Sequence, residues 1–384
     1  MTPKILFVSV EASGDDMAVD VIRLIREKSS DIVIDAIGGP ALRNVGINPK
    51  IDVSAMNVVG GMDVILLYSK AVKLADEIAS YAIDNAFTSV VLIDSWGLSF
   101  RIAQRLKKRS PSIKVLKLIG PQVWATRPGR AKLLASCTDH LLCIHEFEVP
   151  FYEPLGLPCT VIGNPAIRRM EKGNGLAFRE QHKVQADEKV LLVLPGSRRS
   201  ELRRVASKFA PATRKLREIY GKSLRIFVLV SPTIENDPTW KKLNWADGTE
   251  LLRNTENKAD VMSGADVALA CSGTVTTELA AQGCPMVIAY KLGWVTWAIY
   301  RVMLMKSDFI ALVNIALGRE AVAEVIQTEL TAERLVREVR SLFDDPVKRK
   351  KQIQDLALAA QNMGRDNPPA PVIAANKIFE LATQ

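Results

Sequence analysis

Histidine is scarce in this chain of 384 residues, with only His140, His145 and His182. None stands at ligand spacing from a cysteine or another histidine, which argues against a zinc site and leaves the expected metal set empty. The five cysteines (Cys137, Cys143, Cys159, Cys271, Cys284) are odd in number, lack metal-site spacing, and mostly sit inside apolar runs. Buried free thiols in a reducing cytoplasm are therefore expected, not a disulfide framework. No G-x-x-x-x-G-K-[ST] occurs, so the chain is not a P-loop protein. The turn after the first apolar run has no G-x-G-x-x-G, which disfavours a dinucleotide-binding dehydrogenase. That first run, in MTPKILFVSVEASGDD, is too short for a signal-peptide core and reads as a strand. Long apolar stretches are missing too. The nearest, Leu292–Met305, falls short of the ~20 residues a membrane-crossing helix needs and is interrupted by Arg301. Its Trp294, Trp297, Tyr300 and Leu304 fall at helical spacing, which fits an interfacial helix, a buried helix or a subunit interface.

What is present places the chain among globular proteins: 48% hydrophobic and 24% charged residues are enough for a core and too apolar for disorder. The length exceeds one hydrophobic core and suits two domains. A formal charge of +9 points to an anionic partner, whether nucleic acid, an anionic membrane or phosphorylated substrates, or marks a merely soluble basic protein.

Short apolar runs (ILFVSV, VIDAIG, VVLIDS, KVLKLIG, HLLCI, TVIG) alternate with amphipathic patterns such as DDMAVDVIRLIREK and LSFRIAQRLKKR. Nearly continuous apolar strands separated by helices predict a parallel sheet covered on both faces. After Gly163-Asn164-Pro165 the pattern lapses into polar helix, IRRMEKGNGLAFREQHKVQADEK, then restarts with VLLVLPG, RIFVLV, VALACSG and MVIAY. A first domain over 1–165 and a second over 166–345 follow, with charged helices over 346–384. Ligands of such open sheets bind outside the carboxyl ends of the strands, so the turns there are the ones to read.

LPGSRRSE (Leu194–Glu201) offers a Pro-Gly turn, Ser197 as N-cap and a helix beginning near Arg199. A helix start attracts phosphate, and Arg198 adds a planar fork for its oxygens; the plain alternative is a surface helix with solvated arginines. ACSGTVTTELA (Ala270–Ala280) repeats the logic with Ser272, Gly273 and Thr274, and Glu278 one turn into its helix can accept both hydroxyls of a ribose. Alone it reads as a capped helix; two such turns in one domain suit a nucleotide diphosphate. VEASGDD (Val10–Asp16) is acidic instead. Glu11 and Asp15 suit sugar hydroxyls or base catalysis, or Ser13 or Asp15 merely caps a helix. Asp94 ends another strand, and Gly120–Arg130 supplies Gln122, Trp124, Arg127 and Arg130, an aromatic beside cations that fits a sugar phosphate.

Taken in order, EASGD, GGPALRNVG, VVGGMDVI, the Ile93-Asp94 pair, PQVWATRPGR, PFYEPLGLPCTVIGNP, LPGSRRSE, SGTVTTELA, CPMVIAYK and LVNIALGRE resemble the lipid-A-disaccharide synthase family across nearly the whole chain. The resemblance implies a GT-B fold of two Rossmann-like domains whose parallel sheets face a central cleft, with the terminal helices returning to the first domain. It implies inverting transfer of 2,3-diacylglucosamine from its UDP derivative to 2,3-diacylglucosamine 1-phosphate in lipid A biosynthesis, without a cofactor. The donor diphosphate would meet Ser197, Arg198, Arg199, Glu201, Ser272, Gly273 and Thr274, with Glu278 on the ribose. Asn314, Gln122 and Arg127 join the substrate-binding set, and Asp94, Glu11 and Asp15 the catalytic one. Arg198 and a helix start can stabilise the leaving group in place of a metal ion. A cytoplasmic enzyme, peripheral at the inner membrane of a Gram-negative-type bacterium, is implied, with an anionic membrane surface and a second copy as partners and no nucleic acid. Two positions depart from the family pattern: Gly97 stands where a second carboxylate is usual, and Asn164 where histidine is usual. A paralogue with another acceptor, or a non-catalytic nucleotide-sugar-binding protein, are the alternatives those departures raise.

Overall fold

The apolar runs of the sequence form two parallel six-stranded sheets, in a computed structural model that describes residues 2–51, 53, 64–165, 167, 171–253, 257–293, 297 and 308–384. The chain divides into two compact units, Met1–Pro165 with Asp366–Gln384, and Ala166–Arg365.

In the first unit, β1 (Lys4–Val8), β2 (Val33–Ile37), β3 (Ser89–Ile93), β4 (Lys114–Leu118), β5 (His140–Cys143) and β6 (Cys159–Val161) pair in the order β2-β1-β3-β4-β5-β6. Every residue of β3, SVVLI, is buried, as a strand covered on both faces requires. The period-two alternation sorts β1 between two cores. Ile5 and Phe7 meet Ile22 and Ile25 of helix Ala12–Lys28 and Ile378 of helix Ala370–Thr383. Leu6 and Val8 meet Ile78 of helix Val64–Asp84 and Ile102 of helix Trp96–Arg109. Each such side chain contributes about 1.5–3 kcal/mol by leaving water.

In the second unit, β7 (Lys189–Leu194), β8 (Leu224–Leu229), β9 (Thr249–Leu252), β10 (Val267–Cys271), β11 (Met286–Tyr290) and β12 (Ala323–Ile326) take the order β12-β11-β10-β7-β8-β9. All pairings in both sheets are parallel. Successive strands leave β7 in one direction and β10 in the other, so the strand order reverses between them; in the first sheet it reverses between β1 and β3. Such a switch point opens a crevice at the carboxyl ends of the two strands.

Three expectations change here. Residues 346–384 do not return to the first unit as a block. Helix Pro346–Asn362 stays in the second, where Leu356, Ala359 and Met363 join its core and Gln352 Oε1 accepts from Met286 N at 2.7 Å. Only helix Ala370–Thr383 covers the first sheet, packed by Ala374, Ala375 and Ile378 and held where Lys114 Nζ donates to Leu381 O at 2.8 Å. In the polar stretch after Pro165, the described residues from 171 on hold one short helix, Gly175–Gln181, capped where Asn174 Oδ1 accepts from Ala177 N. Strands β9 and β12 were not expected; both are sheet edges, where Glu250 and Glu324 interrupt the apolar signal.

All five cysteines are free and four are buried. Among the described residues no helix is long and apolar enough to cross a membrane. Most of Leu292–Met305, and most of the VVGGMDVI motif at Val58–Ile65, lies outside the described residues.

Candidate active site

The second unit's switch point holds a cavity of about 730 Å³. Its walls include Ser197, Arg198 and Glu201 from the turn after β7, and Ser272, Gly273, Thr274 and Glu278 from the turn after β10. Arg253 and Lys258 add two cations, while Leu194, Leu229, Val230 and Tyr290 give apolar surface. The cavity combines donors for an anion with room for a flat apolar group.

Its two helix starts differ. After β7, the carboxylate of Glu201 accepts from Ser197 N at 2.9 Å and Arg198 N at 3.2 Å, so the turn's own amides are taken. Gly196 makes this possible. Its φ is +106°, and a Cβ there would stand 2.5 Å from Glu201 Oε2. The N-cap is Arg198, not Ser197, and Glu201 is the turn's resident anion rather than a group for the ligand. Thr233 Oγ1 braces the same turn by donating to Ser197 O at 2.5 Å. The Arg198 side chain stays 77% exposed and lies 3.7 Å from Glu201. Arg199 turns away to pair with Asp237 at 3.0 Å and does not line the cavity.

After β10, helix Thr274–Gln282 begins at Gly273 without a side-chain cap, and a Cβ at Gly273 would meet nothing within 4 Å. This start is the open one, with amides and the positive end of the helix dipole presented to the cavity. Glu278 sits one turn along, paired with Lys258. Sequence reasoning missed Arg253, which follows β9, and Lys258, which begins helix Lys258–Gly264; neither belongs to a motif.

At the first unit's switch point the acids are placed unequally. Glu11 is exposed at the N-cap of helix Ala12–Lys28 and makes no cap bond through its side chain. Asp15 is 3% exposed. Its carboxylate accepts from Ser9 Oγ and fills the space beside Gly38 and Gly39, where a Cβ would lie 2.6 and 2.1 Å from its oxygens. Asp15 therefore shapes the turn rather than facing substrate, which corrects its catalytic assignment. Asp94 is half-buried directly after β3, with φ of 45°, and Ser95 follows with φ of 40°. Under this turn lies a residue that the sequence did not mark: Lys117 of β4, 1% exposed. Its Nζ donates to the carbonyls of Leu92 (3.3 Å) and Asp94. Burial pushes the ammonium down to about 7, against the pull of Asp94. Gly97 is exposed in the first turn of helix Trp96–Arg109, and a Cβ there would meet only Arg101 Nη1, at 3.8 Å.

Gln122 and Arg127 are exposed in the loop after β4. Trp124 packs edge-on against Phe147 at 5.3 Å, and Arg130 lies 5.1 Å over the Trp96 ring. Asn314 is a correction. Fully buried, it donates to Val322 O (2.9 Å) and Glu324 (2.8 Å) and accepts from the amides of Ala321 and Val322. All its polar capacity is spent on holding the loop before β12, so none is left for substrate.

A family model described as lipid-A-disaccharide synthetase matches residues 5–373. The lipid-A-disaccharide synthase of Rhodospirillum centenum is 31% identical over 387 residues, covering 100% of this chain and 96% of the relative. That of Rickettsia bellii is 32% identical over 382 residues, covering 98% of each. Among solved structures, Acinetobacter baumannii MurG aligns with a TM-score of 0.59 at 16% identity, over 100% of this chain and 99% of that one. The UDP-GlcNAc 2-epimerase of Neisseria meningitidis, solved bound to UDP-GlcNAc, gives 0.56 at 14% identity, over 100% and 99%. Those likenesses are of fold, and the fold is of the GT-B type.

Proposed function

The chain belongs to the lipid-A-disaccharide synthase family and is a glycosyltransferase, and we propose that it transfers 2,3-diacylglucosamine from its UDP derivative to 2,3-diacylglucosamine 1-phosphate. The observation that carries this reading is the cavity at the second unit's switch point, where an uncapped helix start, an arginine and a carboxylate line one space. The UDP phosphates meet Ser272–Thr274 and Arg198, and Glu278 exchanges Lys258 for the ribose hydroxyls. The acceptor 6-hydroxyl oxygen attacks the donor's anomeric carbon, the bond from that carbon to the UDP oxygen breaks, and configuration inverts. The hydroxyl proton passes to Asp94, with Glu11 the other carboxylate at that switch point. Negative charge growing on UDP is stabilised by the helix start and Arg198, which need no reorganisation at that moment. Diacylated substrates place the enzyme at the cytoplasmic face of the inner membrane, where a charge of +9 favours an anionic surface.

Gly97 favours a second reading, in which the acceptor differs or turnover has lapsed, because it stands where the family resemblance leads one to expect a second carboxylate near Asp94. Release of UDP from UDP-diacylglucosamine, measured with and without the 1-phosphate acceptor, separates the readings. Acceptor-dependent release supports the proposal. Release without dependence on that acceptor points to another acceptor, and binding without release to a lapsed enzyme.

A further inference from the structure

Lys117 is a buried ammonium in the middle of a parallel sheet, and among the described residues no carboxylate forms an ion pair with it. Such a group costs folding stability, because its charge leaves water without a compensating charge. What it gains is specific. In the pairing of β3 with β4, Lys117 stands opposite Leu92, two residues before Asp94. Two residues of strand rise about 6.6 Å, close to the reach of a lysine stem, so the ammonium arrives where β3 ends. There it donates to Leu92 O at 3.3 Å, to Asp94 O, and to Ser99 Oγ at 3.4 Å. Ser99, from the helix that follows, donates to the same Asp94 carbonyl at 2.7 Å. The carbonyl so gripped belongs to the first of two successive non-glycine residues at positive φ, Asp94 and Ser95 (45° and 40°), a conformation uncommon for L residues, although aspartate tolerates it better than most.

We propose that Lys117 is a positioning residue for the transfer reaction: by gripping the Asp94 carbonyl it holds the left-handed turn and so aims the Asp94 carboxylate. This rests on the assignment of Asp94 as the base. The side chain touches backbone and a hydroxyl rather than substrate, so its effect reaches the chemistry only through Asp94.

The test is a double-mutant cycle between Lys117→Met, which keeps the length of the side chain without the charge, and Asp94→Asn. Readouts are kcat and KM for acceptor, UDP affinity by calorimetry, and the melting temperature. Lys117→Met in the wild-type background is expected to lower kcat about 10- to 100-fold, the scale of a misplaced catalytic group. UDP affinity should stay within about twofold, and Lys117→Met should add almost nothing to Asp94→Asn. An equal loss of kcat in both backgrounds would mean a general structural role and overturn the proposal, as would no loss in the wild-type background. If Asp94→Asn alone leaves kcat unchanged, the base assignment fails and the positioning role falls with it, by a different arm of the same cycle. Should Lys117→Met melt too low to assay, Ser99→Ala removes the other donor to the Asp94 carbonyl. It must then give a smaller loss of kcat that also vanishes in Asp94→Asn.

Discussion

At the second unit's switch point, polar groups are left open: helix Thr274–Gln282 has no side-chain cap, and the Arg198 guanidinium is 77% exposed. At the first unit's switch point they are bound up: Asp15 holds the Ser9 hydroxyl, and the Asp94 carbonyl takes hydrogen bonds from both Lys117 and Ser99. The sheets are built alike, and the contrast lies in what their connecting turns do with unpaired donors and acceptors. Donors left unsatisfied bind a ligand that supplies acceptors. A carboxylate whose backbone is over-determined is held for one geometry, which is what proton transfer needs. The first turn of the second unit is an exception within its own site, because Glu201 already fills it.

Four measurements test this contrast. Largest is Asp94→Asn, expected to cut turnover by ~10²–10⁴ while UDP affinity by titration calorimetry stays the same. A parallel fall in affinity would mean that the two switch points do not divide binding from chemistry. Next is the pH dependence carried by Lys117, held down to about 7 in the fold. The unfolded chain binds this proton more tightly than the folded one does. Stability of the wild type relative to Lys117→Met should therefore rise from pH 7 to 10, by a total on the order of 3–5 kcal/mol. Denaturant midpoints of the two proteins across that window check the sign. Third, Arg198→Ala should weaken UDP binding by about 1.5–3 kcal/mol, the scale of a charge-assisted hydrogen bond. Equal affinity would leave the open helix start as the diphosphate's sole anchor. Smallest is Gly97→Asp. A carboxylate in the first turn of an uncapped helix, with Arg101 in reach, should raise stability by about 0.3–1 kcal/mol in melting experiments. If UDP release also rises sharply, the missing carboxylate was limiting the chemistry.

The plan of both sheets was legible because their central strands are continuous apolar runs, and runs of that kind survive any detail of packing. The switch-point turns were legible for the same reason: each follows directly from such a run. The edges were not. β9 and β12 are short and carry Glu250 and Glu324, so they read as loop. Lys117 in KVLKLIG was invisible, since a lysine in a strand reads as a solvated face until the helix carrying Ser99 is known to cover it. Glu201 and Asn314 show that a motif records which residues stand near a site, not what each is already bonded to. Glu201 serves the amides of its own turn, and Asn314 serves the loop before β12. The boundary at 345 failed because a charged helix offers no sign of which apolar face it will choose.

Helix Ala370–Thr383 has a consequence for how the protein is made. It closes one face of the first sheet, against Ile5, Ile22 and Ile25, yet a ribosome reaches it only after completing the whole second unit. A growing chain therefore carries that face of the first sheet covered by helix Ala12–Lys28 but without its C-terminal helix while about 200 residues are synthesised, at ~5–20 residues per second. The second unit, continuous in sequence, finishes first. The first is the one exposed to chaperones and proteases during that interval, and a ribosome stalled before residue 370 would release a chain with a complete second unit and a first unit whose apolar face is only partly covered.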